Sequence, residues 1–331
     1  MHERKINKDF ETRREEGIPS ASFSYDGYKI ADLAVRALIC EVDTTPKPGL
    51  VDRDNNGAHK DMDHFMFLRS ALALRNCFVQ CADLGLSFDP GATADRGFSA
   101  EEAEALRKIG LAGEEAMFQT TGGVNTHKGL IFSLGILCTA CGILFAQKAA
   151  LDEGRNFDGA IRFGEAELRT KCAEIAAALL CDDTAEAGAE RSGAVAGETH
   201  GQIVQKATGI SGVKGEALSG FGTAFETGLP ILREALDLTG ELNGACVETM
   251  IHLLAETDDS NLVYRGGLEG LEFVRSRAKE LLEEYSYGRL QDEDGLEAIR
   301  QLDQECIERN LSPGGCADLL AITVMLHSVT V

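Results

Sequence analysis

Positive charge is in short supply in this chain of 331 residues: 32 lysines and arginines stand against 54 aspartates and glutamates, a formal charge of −22. Such a field repels nucleic acid and anionic lipid surfaces, so neither is expected as a partner. A polyphosphate ligand would need local help from Lys, Arg, backbone amides or a divalent cation. Strand patterns are equally scarce. Alternating Val, Ile, Thr and aromatic residues hardly occur, whereas Ala, Leu, Glu and Arg recur at spacings of three and four, which predicts helices. No repeat, low-complexity tract or convincing linker interrupts the chain, so one domain is the default. A secretory leader pattern is missing from residues 1–20, which are charged and have no apolar centre. The ten cysteines are therefore expected to be reduced thiols in a cytoplasmic protein. Uncharged runs long enough to span a membrane reduce to one, the 19 residues 129–147. Glycines, cysteines, a serine and a threonine dilute it, and no second segment accompanies it, so a fully buried helix is expected there instead.

What is present is helical pattern broken by glycine-rich polar clusters. Helices are predicted near 28–42, 62–85, 100–118, 127–150, 158–180, 214–237, 242–256, 267–286, 290–309 and 313–328. The expected architecture is all-α: a charged, mobile extension over 1–25, then one multi-helix catalytic domain over 26–331 with its site in the glycine-rich loops. Ala31, Ala34, Val35 and Leu38 form one apolar stripe, and Leu319, Ile322 and Leu326 another. Cys138 and Cys141 make a C-x-x-C, and Cys77 with Cys81 could share a helix face. Their apolar neighbours favour core packing over zinc or redox chemistry.

Three clusters concentrate polar chemistry, and each also has a plain structural reading. The first begins Thr44-Thr45-Pro46-Lys47-Pro48-Gly49 and runs through Asp52, Arg53, Asn55, His59, Asp61 and Asp63. Its prolines stiffen a loop that can present Lys47 and the threonine hydroxyls to phosphate. The plain structural reading is that its aspartates favour a helix start. The second, Thr120-Thr121-Gly122-Gly123-Val124-Asn125-Thr126-His127-Lys128-Gly129, opens the most apolar helix. Glycine amides, a helix N-terminus and Lys128 suit an anion, although an Asn125 or Thr126 cap would explain the same residues. The Walker spacing is missing and no strand precedes it. The third, Glu256-Thr257-Asp258-Asp259-Ser260-Asn261 followed by Arg265-Gly266-Gly267, sets adjacent carboxylates beside a cation, as a Mg²⁺ site or a capped surface loop would. Weaker signals are Thr199-His200-Gly201, Gly212-Val213-Lys214-Gly215-Glu216, and Ser312-Pro313-Gly314-Gly315 with Asp318 beyond it.

Taken in order, TTPKPGLVDRDNNGAHKDMD, TGGVNTHKG, GVKGEALSGF, DDSNLVYRGG and LSPGGCADLLA resemble the triphosphoribosyl-dephospho-coenzyme A synthase family over about residues 28–328. The resemblance implies an all-helical enzyme that transfers the triphosphoribosyl group of ATP to the 2′-hydroxyl of dephospho-coenzyme A with release of adenine. The product would pass to a transferase that charges an acyl carrier subunit of citrate lyase or malonate decarboxylase. It leaves a homodimer open. Positive charge develops on the ribose in such a reaction, so Asp52, Asp61 and Asp63 are candidates to stabilise it. His59 and His127 are candidate acid and base. Thr45, Lys47, Gly49, Arg53, Asn55, Gly122, Gly123, Asn125, Lys128 and Arg265 would hold the substrates, and Asp61, Asp258, Asp259 and Asp318 the Mg²⁺ that accompanies ATP. A phosphoryl transferase, an ADP-ribose-type hydrolase and a nucleotide-binding regulator would use the same inventory.

Overall fold

The computed structural model describes residues 24–88, 97–151, 162–181 and 200–331. Its elements are α1 (Tyr25–Asp43), α2 (His64–Ala73), α3 (Arg75–Leu86), α4 (Ala100–Thr121), α5 (Lys128–Leu151), α6 (Glu165–Cys181), α7 (His200–Thr208), α8 (Gly212–Leu218), a π turn (Ala224–Gly228), α9 (Leu229–Thr239), α10 (Leu242–Glu256), α11 (Ser260–Glu284), α12 (Glu293–Glu308) and α13 (Gly314–Val329). The all-α expectation holds: β structure among these residues amounts to one isolated parallel bridge, Phe163 to Thr330. Residues 1–23, the start of the helix expected at 158, and Thr199 lie outside the described residues.

Helix α5 is the axis of the packing. Its side chains are apolar on every face, and 83% of its most hydrophobic window is buried, as expected for a helix enclosed by others. Its closest neighbour is α3, and glycine sets that distance. A Cβ on Gly85 would overlap the carbonyl oxygen of Thr139, and one on Gly142 the carbonyl of Ala82. Thr139 Oγ1 also donates to the Cys81 carbonyl across the seam at 3.1 Å. The cysteines fill this region as small apolar groups: Cys77, Cys81, Cys138, Cys141 and Cys172 are buried, all ten are free thiols, and burial pushes the Cys138, Cys141 and Cys172 thiols far up.

Three departures from the expected helices have local causes. The helix expected over 62–85 breaks at the buried Leu74 into α2 and α3. The one expected over 214–237 becomes α8, a tight turn, a π turn and α9. Gly220 and Phe221 take positive φ (68° and 62°) there, and Pro230, which has no N–H to continue a ladder, marks the entry to α9. Helix α11 starts seven residues before the expected 267, because Asp259 caps it with bonds from the Asn261 and Leu262 amides at 2.7 and 3.1 Å. Gly267 (φ 66°, ψ −169°) then breaks the helix inside. Helix α7 went unpredicted.

The glycine seam yields a test. Gly85→Ala should destabilise the protein by about 1–3 kcal/mol through overpacking, read as a lower urea midpoint, whereas Gly110→Ala, where added volume meets nothing within 4 Å, should be neutral or stabilising.

Candidate active site

The loop after α1 is built from carboxylates that accept backbone N–H groups. Asp52 accepts from the amides of Lys47 (3.0 Å), Asp54 (2.8 Å) and Asn55 (3.0 Å). Asp303, from α12, accepts from the Gly49 amide and from Asn55 Nδ2, both at 2.8 Å. Gly49 is required in this turn: its φ is 69° and the Leu311 carbonyl occupies the place of a Cβ. Asn243 at the start of α10 accepts from the Thr45 amide (3.0 Å) and from Arg53 Nη2 (3.1 Å). Of the expected site residues, Thr45, Gly49, Asp52, Arg53 and Asn55 thus shape the loop. Asp63 caps α2 by accepting from the Met66 amide at 2.7 Å, and Asp61 is exposed.

Lys47 points inward rather than toward a ligand. It is 1% exposed, pairs with the Glu41 carboxylate and donates to the Glu41 carbonyl at 2.7 Å. Glu41 is equally buried, and burial raises its pKa despite the lysine beside it. Glu41 is among the residues that line a cavity of about 1140 Å³, at or above the upper end of the range for a single small-molecule pocket.

That cavity is where the glycine-rich clusters meet. His59, Asn125, Lys128, Asp258, Asp259, Arg265 and Asp318 of the expected set line it, together with Lys214, Glu216 and Ser312. Seven carboxylates face three cations, Lys128, Lys214 and Arg265. Lys128 is held by Glu114 of α4 at 2.8 Å, and Asn125 caps α5 by accepting from the Lys128 amide at 3.1 Å. Gly122 ends α4 in the left-handed conformation (φ 68°) and Gly123 follows at φ 94°. Neither glycine has atoms within reach of an added Cβ.

His59 sits in a fixed network: Nε2 is 2.8 Å from Ser312 Oγ, and Arg265 Nη2 is 3.2 Å from Nδ1. Burial, with help from the Arg265 charge, lowers its pKa to about 4, so the ring is neutral near pH 7. His127 lies behind the wall, 1% exposed, with Nδ1 2.8 Å from Ser70 Oγ and Nε2 without a partner among the described residues. Burial, reinforced by Lys47, lowers its pKa to about 3.

The proposed metal ligands separate. Asp61 is exposed beside His59, and Asp258 pairs with Arg275 at 2.5 Å. Asp259 is buried with its oxygens taken by the amides of Asn261, Leu262 and Cys316. Asp318 has no hydrogen-bond partner among the described residues, and its carboxylate lies against Gly129 in the first turn of α5. Burial, then the charges of Glu41 and Asp259, raise its pKa well above the carboxylate range. No group of three His, Cys, Asp or Glu side chains among the described residues is arranged to hold a metal.

Sequence reasoning passed over Glu41, Asp303 and Asn243. The signal for Glu41 was available: it falls three residues after Leu38, on the same apolar stripe, where a charge is out of place unless paired.

The depressed histidines give a signed pH effect. His127 is neutral when folded but titrates near 6.5 when unfolded, so acid favours the unfolded chain and stability falls as pH drops below 6.5 toward 3. Urea titrations at pH 7 and pH 5 should show His127→Gln losing about 2 kcal/mol less than the parent over that interval. Equal losses would contradict the assignment.

Comparison with known proteins matches the same stretch. The family model described as ATP:dephospho-CoA triphosphoribosyl transferase (CitG) matches residues 27–331. The 2-(5″-triphosphoribosyl)-3′-dephosphocoenzyme-A synthase of Escherichia fergusonii is 40% identical over 301 residues, covering 90% of this chain and 89% of its own. Its namesake from Klebsiella pneumoniae is 39% identical over 300 residues, covering 91% and 90%. That from Pectobacterium atrosepticum is 37% identical over 325 residues, covering 95% and 97%. No solved structure matches. With the match running from α1 to the C-terminus and through every cluster that faces the cavity, the chain belongs to the ATP:dephospho-CoA triphosphoribosyl transferase family.

Proposed function

We propose that the cavity holds ATP and dephospho-coenzyme A together and that Glu41 serves the ribose at which they react. The family's reaction transfers the triphosphoribosyl group of ATP to the 2′-hydroxyl of dephospho-coenzyme A and releases adenine. The bond from the ribose C1 to adenine breaks as a bond to the acceptor oxygen forms. The hydroxyl gives up a proton, and adenine leaves with one. Supporting the shared cavity is one observation above the others: five motifs, separated by most of the chain, place residues on a single wall large enough for two nucleotides.

Positive charge develops on the ribose as adenine departs, and a carboxylate in a dry cavity stabilises it more than one in water. Glu41 fits that role, since it is 3% exposed and lines the cavity. Its proton affinity, raised by burial, also suits a group that takes the hydroxyl proton. The triphosphate is carried through intact, so the protein must hold it without polarising a phosphorus for attack.

Mg²⁺ suits this cavity as a companion of ATP, not as a resident ion. Magnesium is commonly held by one or two carboxylates plus substrate phosphates. Asp318, with its oxygens unclaimed and crowded by Glu41 and Asp259, is the carboxylate that would hold it. The ion would supply the charge neutralisation that three cations facing seven carboxylates do not. The ten free thiols fit a reducing compartment, and we place the enzyme in the cytoplasm, handing its product to the transferase that charges an acyl carrier protein.

Purified protein incubated with ATP, Mg²⁺ and dephospho-coenzyme A should release free adenine, with a coupled product heavier than dephospho-coenzyme A by the triphosphoribosyl group. Omitting the acceptor or adding EDTA should stop adenine release, and excess Mg²⁺ should restore it. ADP or AMP in place of adenine would overturn the assignment.

A further inference from the structure

A hydrogen-bond chain at the cavity wall has a direction that chemistry fixes. Arg265 is a donor only, and its Nη2 lies 3.2 Å from His59 Nδ1. The alternative neighbour of Nδ1, Asp61, is 3.9 Å away, beyond hydrogen-bond reach. Nδ1 must therefore accept, which puts the ring proton of neutral His59 on Nε2. That proton is donated to Ser312 Oγ at 2.8 Å. A hydroxyl that accepts from His59 must direct its own proton elsewhere, and Ser312 has no other side-chain partner among the described residues. Ser312 lines the cavity beside Arg265 and His59.

We infer that Ser312 donates a hydrogen bond to a phosphate oxygen of the bound nucleotide, held in that orientation by Arg265 acting through His59. The inference rests on the reading that ATP occupies this cavity. Phosphate is the favoured acceptor because donors converge here. Arg265 spends Nη1 on Ala58 and Asn310 and one Nη2 proton on His59, and its Nε–H and second Nη2–H have no partner among the described residues. A guanidinium with unspent protons and a serine hydroxyl lining one cavity suit an acceptor-rich anion better than a neutral purine edge. The sequence offered Ser312 only as the residue before a helix-starting proline. Its chemistry follows from the partner that α11 and the 44–63 loop bring to it.

Calorimetric titration of ATP·Mg²⁺ without acceptor, over single and double variants, tests the chain. Ser312→Ala should weaken ATP binding about 10- to 100-fold, the value of a hydrogen bond to a charged group, and leave the KM for dephospho-coenzyme A unchanged. Ser312→Thr, which keeps the hydroxyl, should restore binding. His59→Gln can accept from Arg265 and donate to Ser312 through its amide, so it should bind ATP like the parent. His59→Leu should bind more weakly, and that loss should vanish in the Ser312→Ala background because both act through one hydroxyl. Parental ATP affinity in Ser312→Ala would overturn the inference, as would additive losses or a loss confined to dephospho-coenzyme A. Because binding is read without acceptor, absent adenine release with intact Ser312-dependent binding would count against the reaction and not against this donor.

Discussion

The buried pair between Glu41 and Lys47 is the interaction on which the site depends. An ammonium and a carboxylate taken out of water cost several kcal/mol each unless they meet in good geometry with further hydrogen bonds. Lys47 meets both the carboxylate and the carbonyl of Glu41. The pair fixes the loop after α1 to the helix it leaves, and the rest of that loop is fastened outward, to α12 through Asp303 and to α10 through Asn243. One face of Glu41 remains on the cavity. On the function proposed above, the charge that secures the loop would also be the charge that meets the ligand.

An acidic cavity for a polyanionic substrate is less contradictory than it looks, because many of its carboxylates are already spent. Asp259 accepts from three backbone amides at the starts of α11 and α13, Asp258 pairs with Arg275, and Glu216 accepts from the hydroxyl and amide of Thr223. An unscreened like-charge contact at 4 Å would still cost about 4 kcal/mol in a partly buried site. Asp318 carries that repulsion openly, lying near Glu41 and Asp259 without a partner of its own among the described residues. A divalent cation arriving with the nucleotide would relieve both the protein's crowding and the triphosphate's charge.

The fold was largely legible because helical period and charge-free length are properties of short windows: the buried α5 announced itself by 19 uncharged residues. What periodicity does not carry is where a helix breaks, and the sequence missed the division at Leu74 and the π turn before Pro230 for that reason. The site was legible as a set of loops but not as a set of roles. Lys47 in a proline-stiffened loop reads as a hand extended to phosphate, yet its partner is six residues upstream on a helix face. Asp52 and Asp63 read as ribose stabilisers, and in the structure their oxygens accept backbone amides. His59 was suspected of a role at the site and lines the cavity, but its direction as a donor depends on Arg265, 206 positions away. Such long-range pairing leaves no local trace.

The central claim is that the buried carboxylate of Glu41 faces the reacting ribose, and Glu41→Gln tests it most directly. Steady-state rates of adenine release, read beside calorimetric binding of ATP and a melting curve, separate chemistry from folding. The account expects kcat to fall by about 10²–10⁴, the range for a positioned acid–base group, while ATP still binds to a folded protein. A folded Glu41→Gln enzyme that turns over at the parental rate would contradict it.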